Sequence, residues 1–300
     1  GLNVSGIGTI ATLNVSGNAT IDGNANIGGV LTYEDVTNVD SVGVVTARGL
    51  NIFGNTTGLN ATGISTVASL KFTDTNIKIG STALDSLTTG TNNVAVGENA
   101  LTATTTGDNN TAIGDAALGA NTTGDSSVAV GHGALDANST GNRNVAVGQN
   151  ALGANTTASN NTAVGHDALI ANTTADNNTA VGHNSLVANT TGTNNVAVGQ
   201  GSLGNNTTAD NNSALGKAAL FNNTGANNTA VGREAMFANT TGAANVAVGN
   251  NALDANTTAN NNTAVGSAAL GANTTATGGT ALGAQSLEAN TTGNYNTAVG

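Results

Sequence analysis

Short runs of alternating apolar and polar residues, punctuated by glycine, fill most of the 300-residue chain. Asn144-Val145-Ala146-Val147-Gly148 is followed by Ala151-Leu152 and Asn155-Thr156-Thr157. Asn161-Thr162-Ala163-Val164-Gly165, Ala168-Leu169 and Asn172-Thr173-Thr174 repeat that order 17 residues later. The anchoring glycines run from Gly80 to Gly300 in steps of 17, with one step of 16 between Gly216 and Gly232. A fixed period this short is the signature of a solenoid. The alternation ahead of each glycine predicts a short strand. Glycine, asparagine and Thr-Thr interrupt any helix within each period. The expected fold is therefore all-β: a parallel β-solenoid over residues 76–300 with one coil per 17 residues, each coil holding two brief extended segments and two turns.

Stacked parallel coils place equivalent residues above one another at about 4.8 Å. Fourteen coils at that spacing give a rod of about 65 Å. Asparagine recurs four residues before the glycine (Asn93, Asn110, Asn144, Asn161) and again at Asn121, Asn138, Asn155 and Asn172. Such columns are expected to form amide ladders that satisfy side chains and turn backbone together. The shortened repeat loses its residue in the turn, where Asn223-Thr224-Gly225 stands in place of Asn206-Thr207-Thr208-Ala209, so the strands should stay in register. The residue before the glycine and the leucine four after it are the expected core: Val147, Leu152, Val164, Leu169, Val181 and Leu186. From Ala95 to Ala298 the residue two before the glycine is always alanine. Only a methyl group is tolerated there, as where two backbones approach closely, and Ala146, Ala163 and Ala180 are the expected contacts with a second chain. Stacking covers a thin coil only along its axis, so lateral association is expected.

Composition narrows the class. Aromatic residues make up 2% of the chain, tryptophan and cysteine are absent, and charged residues reach only 8%. A thick core of large side chains cannot be built from this, and no disulfide framework exists. The net charge of −11, with only six scattered Lys and Arg, disfavours nucleic acid and anionic membrane as partners. No apolar run approaches the ~20 residues of a membrane-spanning helix. The chain reads as a segment of a longer one. Residues 1–75 are less regular: Leu2-Asn3-Val4-Ser5-Gly6 recurs as Leu13-Asn14-Val15-Ser16-Gly17, and short β segments with Gly/Asn turns are expected.

These residues carry two resemblances. The Asn-Asn-Thr-Ala-Val-Gly…Ala-Leu pattern of residues 76–300 resembles the head repeats of YadA-like trimeric adhesins, which implies a left-handed β-roll wound from three chains. The segment Leu31-Thr32-Tyr33-Glu34-Asp35-Val36-Thr37-Asn38-Val39, continuing to Arg48, is similar to a segment of virion fibre proteins from marine cyanobacterial phages. Together they imply a stiff, trimeric shaft segment of a phage tail fibre, located on the virion. Its implied partners are itself, other virion proteins, and a host surface receptor or glycan. A bacterial surface adhesin is the alternative, and an ice-binding solenoid a more distant one.

No catalytic constellation emerges, and no enzyme activity or cofactor is expected. His132, His166 and His183 each follow a repeat glycine, at a position that elsewhere holds Glu98, Asp115, Gln149, Lys217 or Arg233. That position should face solvent, where His166 and His183 would stack, and an outward column does not converge on a metal. Glu34 and Asp35 fall on opposite faces of a strand, so they do not form a carboxylate pair. The Asn-Thr-Thr triplets fit the glycosylation sequon but read more simply as turns. Ile170, Val187, Phe221 and Phe237 interrupt a column that elsewhere holds Asp136, Asp254 and Glu288. They are candidates for an apolar partner patch.

Overall fold

The computed structural model describes residues 75–300. The expected irregular repeats before them, with Glu34 and Asp35, lie outside the described residues. Fourteen strands of three residues, from Ile77–Ile79 to Thr297–Val299, form one parallel sheet in which each strand pairs with its neighbours in chain order. The solenoid expected from the period is thus present, with no helix among the described residues. Adjacent strands align position for position: Val145 with Thr162, Ala146 with Ala163, and Val147 with Val164. The 16-residue step keeps that frame, pairing Ser213 with Thr229, Ala214 with Ala230 and Leu215 with Val231.

Each coil contains one strand rather than two. The segment after the glycine closes through residues in the left-handed backbone region, such as Asp167 (φ 54°) and Leu169 (φ 55°). It remains bonded to the next coil, as where Leu169 N donates to Ser185 O at 3.0 Å. Left-handed backbone cannot continue a strand, which is why the expected second extended segment is absent. A third left-handed residue per coil, Asn160 (φ 61°) and its equivalents, precedes the strand. Asn, the non-glycine residue best suited to this region, fills most of that column.

The leucine column is more demanding. From Leu84 to Leu287 every member has φ near 50°, and the only replacement is Met236. Valine and isoleucine never occur there, although either would fill the core. β-Branching crowds the left-handed backbone, so an unbranched Cβ is required together with an apolar side chain. At the repeat glycine the constraint is stricter. Gly165 has φ +136°, and an added Cβ would lie 2.6 Å from Gly182 O. The next coil sits where a side chain would start.

Leu152, Leu169 and Leu186 are fully buried, in one continuous cluster with two alanine columns. One column is Ala146, Ala163 and Ala180; the other is Ala151, Ala168 and their equivalents three residues after the glycine. Two sequence expectations are corrected here. Ala146, Ala163 and Ala180 have 0% exposure within one chain, so they cannot contact a second one. Val147 and Val164 are 37% and 36% exposed, and Val181 is half-buried, so the valines face outward. The period of two along a strand admits only one of these sets to the interior. Leucines from the opposite wall fill that space, leaving room for a methyl group.

The asparagine columns are buried ladders. Asn161 N donates to Asn144 Oδ1 at 3.0 Å, and Asn144 Nδ2 donates to Ala158 O at 2.7 Å. In the second column Asn155 Nδ2 donates to Asn138 Oδ1 (2.8 Å) and also to Ala158 O (3.1 Å). Both ladders therefore converge on one turn carbonyl and use its two lone pairs. Thr156 Oγ1 extends the network by donating to Thr173 O at 3.1 Å. The shortened turn breaks the pattern. Asn223 Nδ2 bonds Gly225 O at 2.6 Å, leaving Asn206 Oδ1 and Asn212 Nδ2 buried without partners.

Two stability predictions follow from the geometry. Leu169→Ile should cost about 2 kcal/mol or more, combining repacking with β-branching in left-handed backbone. Leu169→Met should cost less than about 1.5 kcal/mol; equal losses in denaturant titrations would contradict the backbone argument. Inserting Thr between Thr224 and Gly225 restores the full turn and should raise the thermal midpoint, since each orphaned buried group costs about 1–3 kcal/mol.

Candidate functional site

Two surfaces of the coil stack carry side chains that the fold itself does not use. The first is the outer face of the sheet. The third residue of every strand, from Ile79 to Val299, is Val, Ile or Leu, and it points away from the core. Ile113 is 41% exposed and Leu215 51%. The first strand position shares this face and holds Val, Thr, Ser or Ile, as at Val145, Thr162, Ser213 and Ile77. Three residues wide and fourteen strands long, the face covers on the order of 600 Å². Only the first and third positions of each strand project from it, so its apolar part is smaller than that footprint. Sequence reasoning located these valines but assigned them to the interior. The decisive signal was the all-alanine column between them, because a buried strand position facing large leucines must be small.

The second surface lies on the turn after the glycine. His166 and His183 stack there, with ring centroids 5.4 Å apart and planes 16° apart, as their one-coil separation implies. His132 approaches Asp115 at 3.8 Å and His166 approaches Asp167 at 3.3 Å. Exposed pairs of this kind contribute little to stability. The candidate patch is only partly continuous. Phe221 and Phe237 stack, with centroids 5.5 Å apart and planes inclined by 9°. Phe237 is 38% exposed, whereas Phe221, Ile170 and Val187 are half-buried. Gly204 interrupts the column because Phe221 lies over it: an added Cβ would come within 2.7 Å of the Phe221 ring.

Other polar groups have structural tasks. Asp108, Asp176 and Asp210 accept hydrogen bonds from backbone N–H groups of the preceding coil, those of Thr91, Ser159 and Thr193, at 2.6–2.7 Å. Among the described residues no three His, Asp or Glu side chains cluster as metal ligands. Asn155, Asn172 and Asn189, which begin sequon triplets, are fully buried with their amide nitrogens engaged. They are inaccessible to glycosylation in the folded coil. No helix among the described residues is long and apolar enough to cross a membrane. Comparison of the chain with protein-family models, curated proteins and solved structures gave no match.

Because the two phenylalanines sit outside the continuous core, replacing both Phe221 and Phe237 with Ser should leave the β circular dichroism spectrum intact. The melting temperature should fall by only a few degrees, in line with about 1 kcal/mol for the lost stacking. Loss of the folded spectrum would instead make the pair a packing element of the shortened coil.

Proposed function

We propose that this chain is a shaft segment of an external phage fibre, in which three copies associate along the outward faces of their sheets and serve as a stiff spacer in host-cell attachment. The observation that carries the reading is the unbroken column of Val, Ile and Leu on the exposed side of fourteen successive strands. Those residues add nothing to the core of a single chain, and their exposure costs about 25 cal/mol for each Å² left in water. A solenoid that ended at one chain would do better with threonine at every such position. The first strand position beside the seam is mixed, with Thr or Ser in eight strands and Val or Ile in six. The resemblance to YadA-like repeats and to cyanophage fibre proteins supports the number of chains and the virion location.

The coil is also suited mechanically to a spacer. Strand and turn backbone groups bond from coil to coil along the axis, as Val145 N does to Asn161 O and Thr156 N to Thr173 O, so stretching the rod breaks many bonds at once. In this reading the partners are two further copies of the chain and the neighbouring virion proteins.

Sedimentation velocity tests the assembly. The chain is expected to sediment as three copies, and Val147→Lys, Val164→Lys and Val181→Lys together should give folded monomers. A parent chain that stays monomeric at micromolar concentration would overturn the proposal. So would a triple variant that still trimerises.

A further inference from the structure

The repeat departs from its own rule most strongly between His183 and Phe237. Three departures coincide there: the apolar residues in a column that elsewhere holds Asp, Glu, Gly or Thr, the shortened turn, and the basic side chains of Lys217 and Arg233. The column directly after the glycine reads Glu98, Asp115, His132, Gln149, His166, His183, Gln200, Lys217, Arg233, Asn250 and Ser267. In a chain of net charge −11, Lys217 and Arg233 are two of only six Lys and Arg residues, and they occupy successive coils beside Phe221 and Phe237; Arg233 is paired with Glu234 at 2.8 Å, so the charge offered to a ligand is that of Lys217. Concentrated violations of a repeat's consistency are expected at functional positions.

The geometry there is a groove of about 190 Å³. Gly201 and Ala218 are among its lining residues, and their small side chains leave the space open. One wall is the flank of Phe221, half-buried and held by the stacked Phe237. The other carries His183, Gln200 and Lys217, all exposed, with Asn184 alongside. No carboxylate lines it. A second hollow on the same surface, by His132 and Ile170, does include one, Asp136. No strand residue belongs to the groove, so it stays open when the sheet faces associate.

We infer that this groove binds one acidic sugar unit of a polysaccharide. The volume is below the about 300–1,000 Å³ of sites for drug-sized ligands, so it takes a single ring. A pyranose presents an apolar C–H face, which suits the flat Phe221 flank, and equatorial hydroxyls, which suit the amides of Asn184 and Gln200. A carboxylate or sulfate on the ring pairs with Lys217 and His183. The absence of a negative group in the lining selects the anion. Nucleic acid is disfavoured by the overall acidic field and by the single lysine in the groove. In biological terms the inference rests on the attachment role proposed above, but its chemistry is independent of chain number.

Calorimetric titration of the full 300-residue chain with trigalacturonate tests it, with maltotriose and a triaspartate peptide as comparisons. Trigalacturonate is expected to bind with maltotriose at least about fivefold weaker, the size of one exposed ion pair. Lys217→Gln should reduce the trigalacturonate affinity to the maltotriose level. Phe221→Leu, which keeps the apolar volume but removes the flat ring, should weaken both sugars by up to about tenfold. No binding, or binding unchanged in both folded variants, would overturn the inference. Equal binding of triaspartate would reduce the groove to a carboxylate site and also overturn it. Each of these failures leaves the trimeric shaft standing, since its own test reads mass rather than ligand.

Discussion

A coil of 17 residues offers so few apolar side chains that its turn backbone cannot be covered; it must be bonded instead. Asparagine supplies those bonds. In most coils two buried amide columns meet at the turn carbonyl, one from the same coil and one from the coil before, as Asn155 and Asn144 do at Ala158. This interaction lets the interior shrink to one leucine and two alanines per coil. It also imposes the strict period, because an amide can reach its neighbour only if the next coil repeats the same path. The repeat glycine and the left-handed leucine are consequences: the path must turn tightly enough to bring both columns inside.

Much of this was legible in the sequence. The period, the strand before each glycine, the ladders, the placement of the missing residue in a turn and the stacking of His166 on His183 could all be read from spacing. Two things could not. The second extended segment was inferred from apolar content at Ala168-Leu169, but φ near 55° at Leu169 makes it a turn. Apolarity alone does not distinguish a strand from a left-handed corner, although the exclusion of valine and isoleucine from that column carried a hint. The facing of the strand was also reversed. Larger apolar residues usually mark the inside, whereas here Val147 lies out and Ala146 in. The inner wall is so close to the leucines that the rule inverts.

The reversal matters for function. Had the valines been interior, the outer face of the sheet would carry the alanine column instead, with far less apolar surface on each coil. With the valines outside, the sheet face and the turn face divide the labour. The first is uniform along its length, which is the property the proposed assembly requires of it. The second is polar and varied, and its irregularities gather around the shortened coil, where the unpartnered Asn206 and Asn212 atoms record the strain of departing from the repeat.

The same register has a consequence for how such a molecule can change length. Adding or removing 17 residues inserts or deletes a whole storey, and every column closes again across the cut. A one-residue change is accommodated between Asn223 and Gly225, at a corner outside both the sheet and the leucine column. Reach can therefore be adjusted in steps of about 4.8 Å without new side-chain chemistry, and a decorated storey can be carried up or down the stack as cargo.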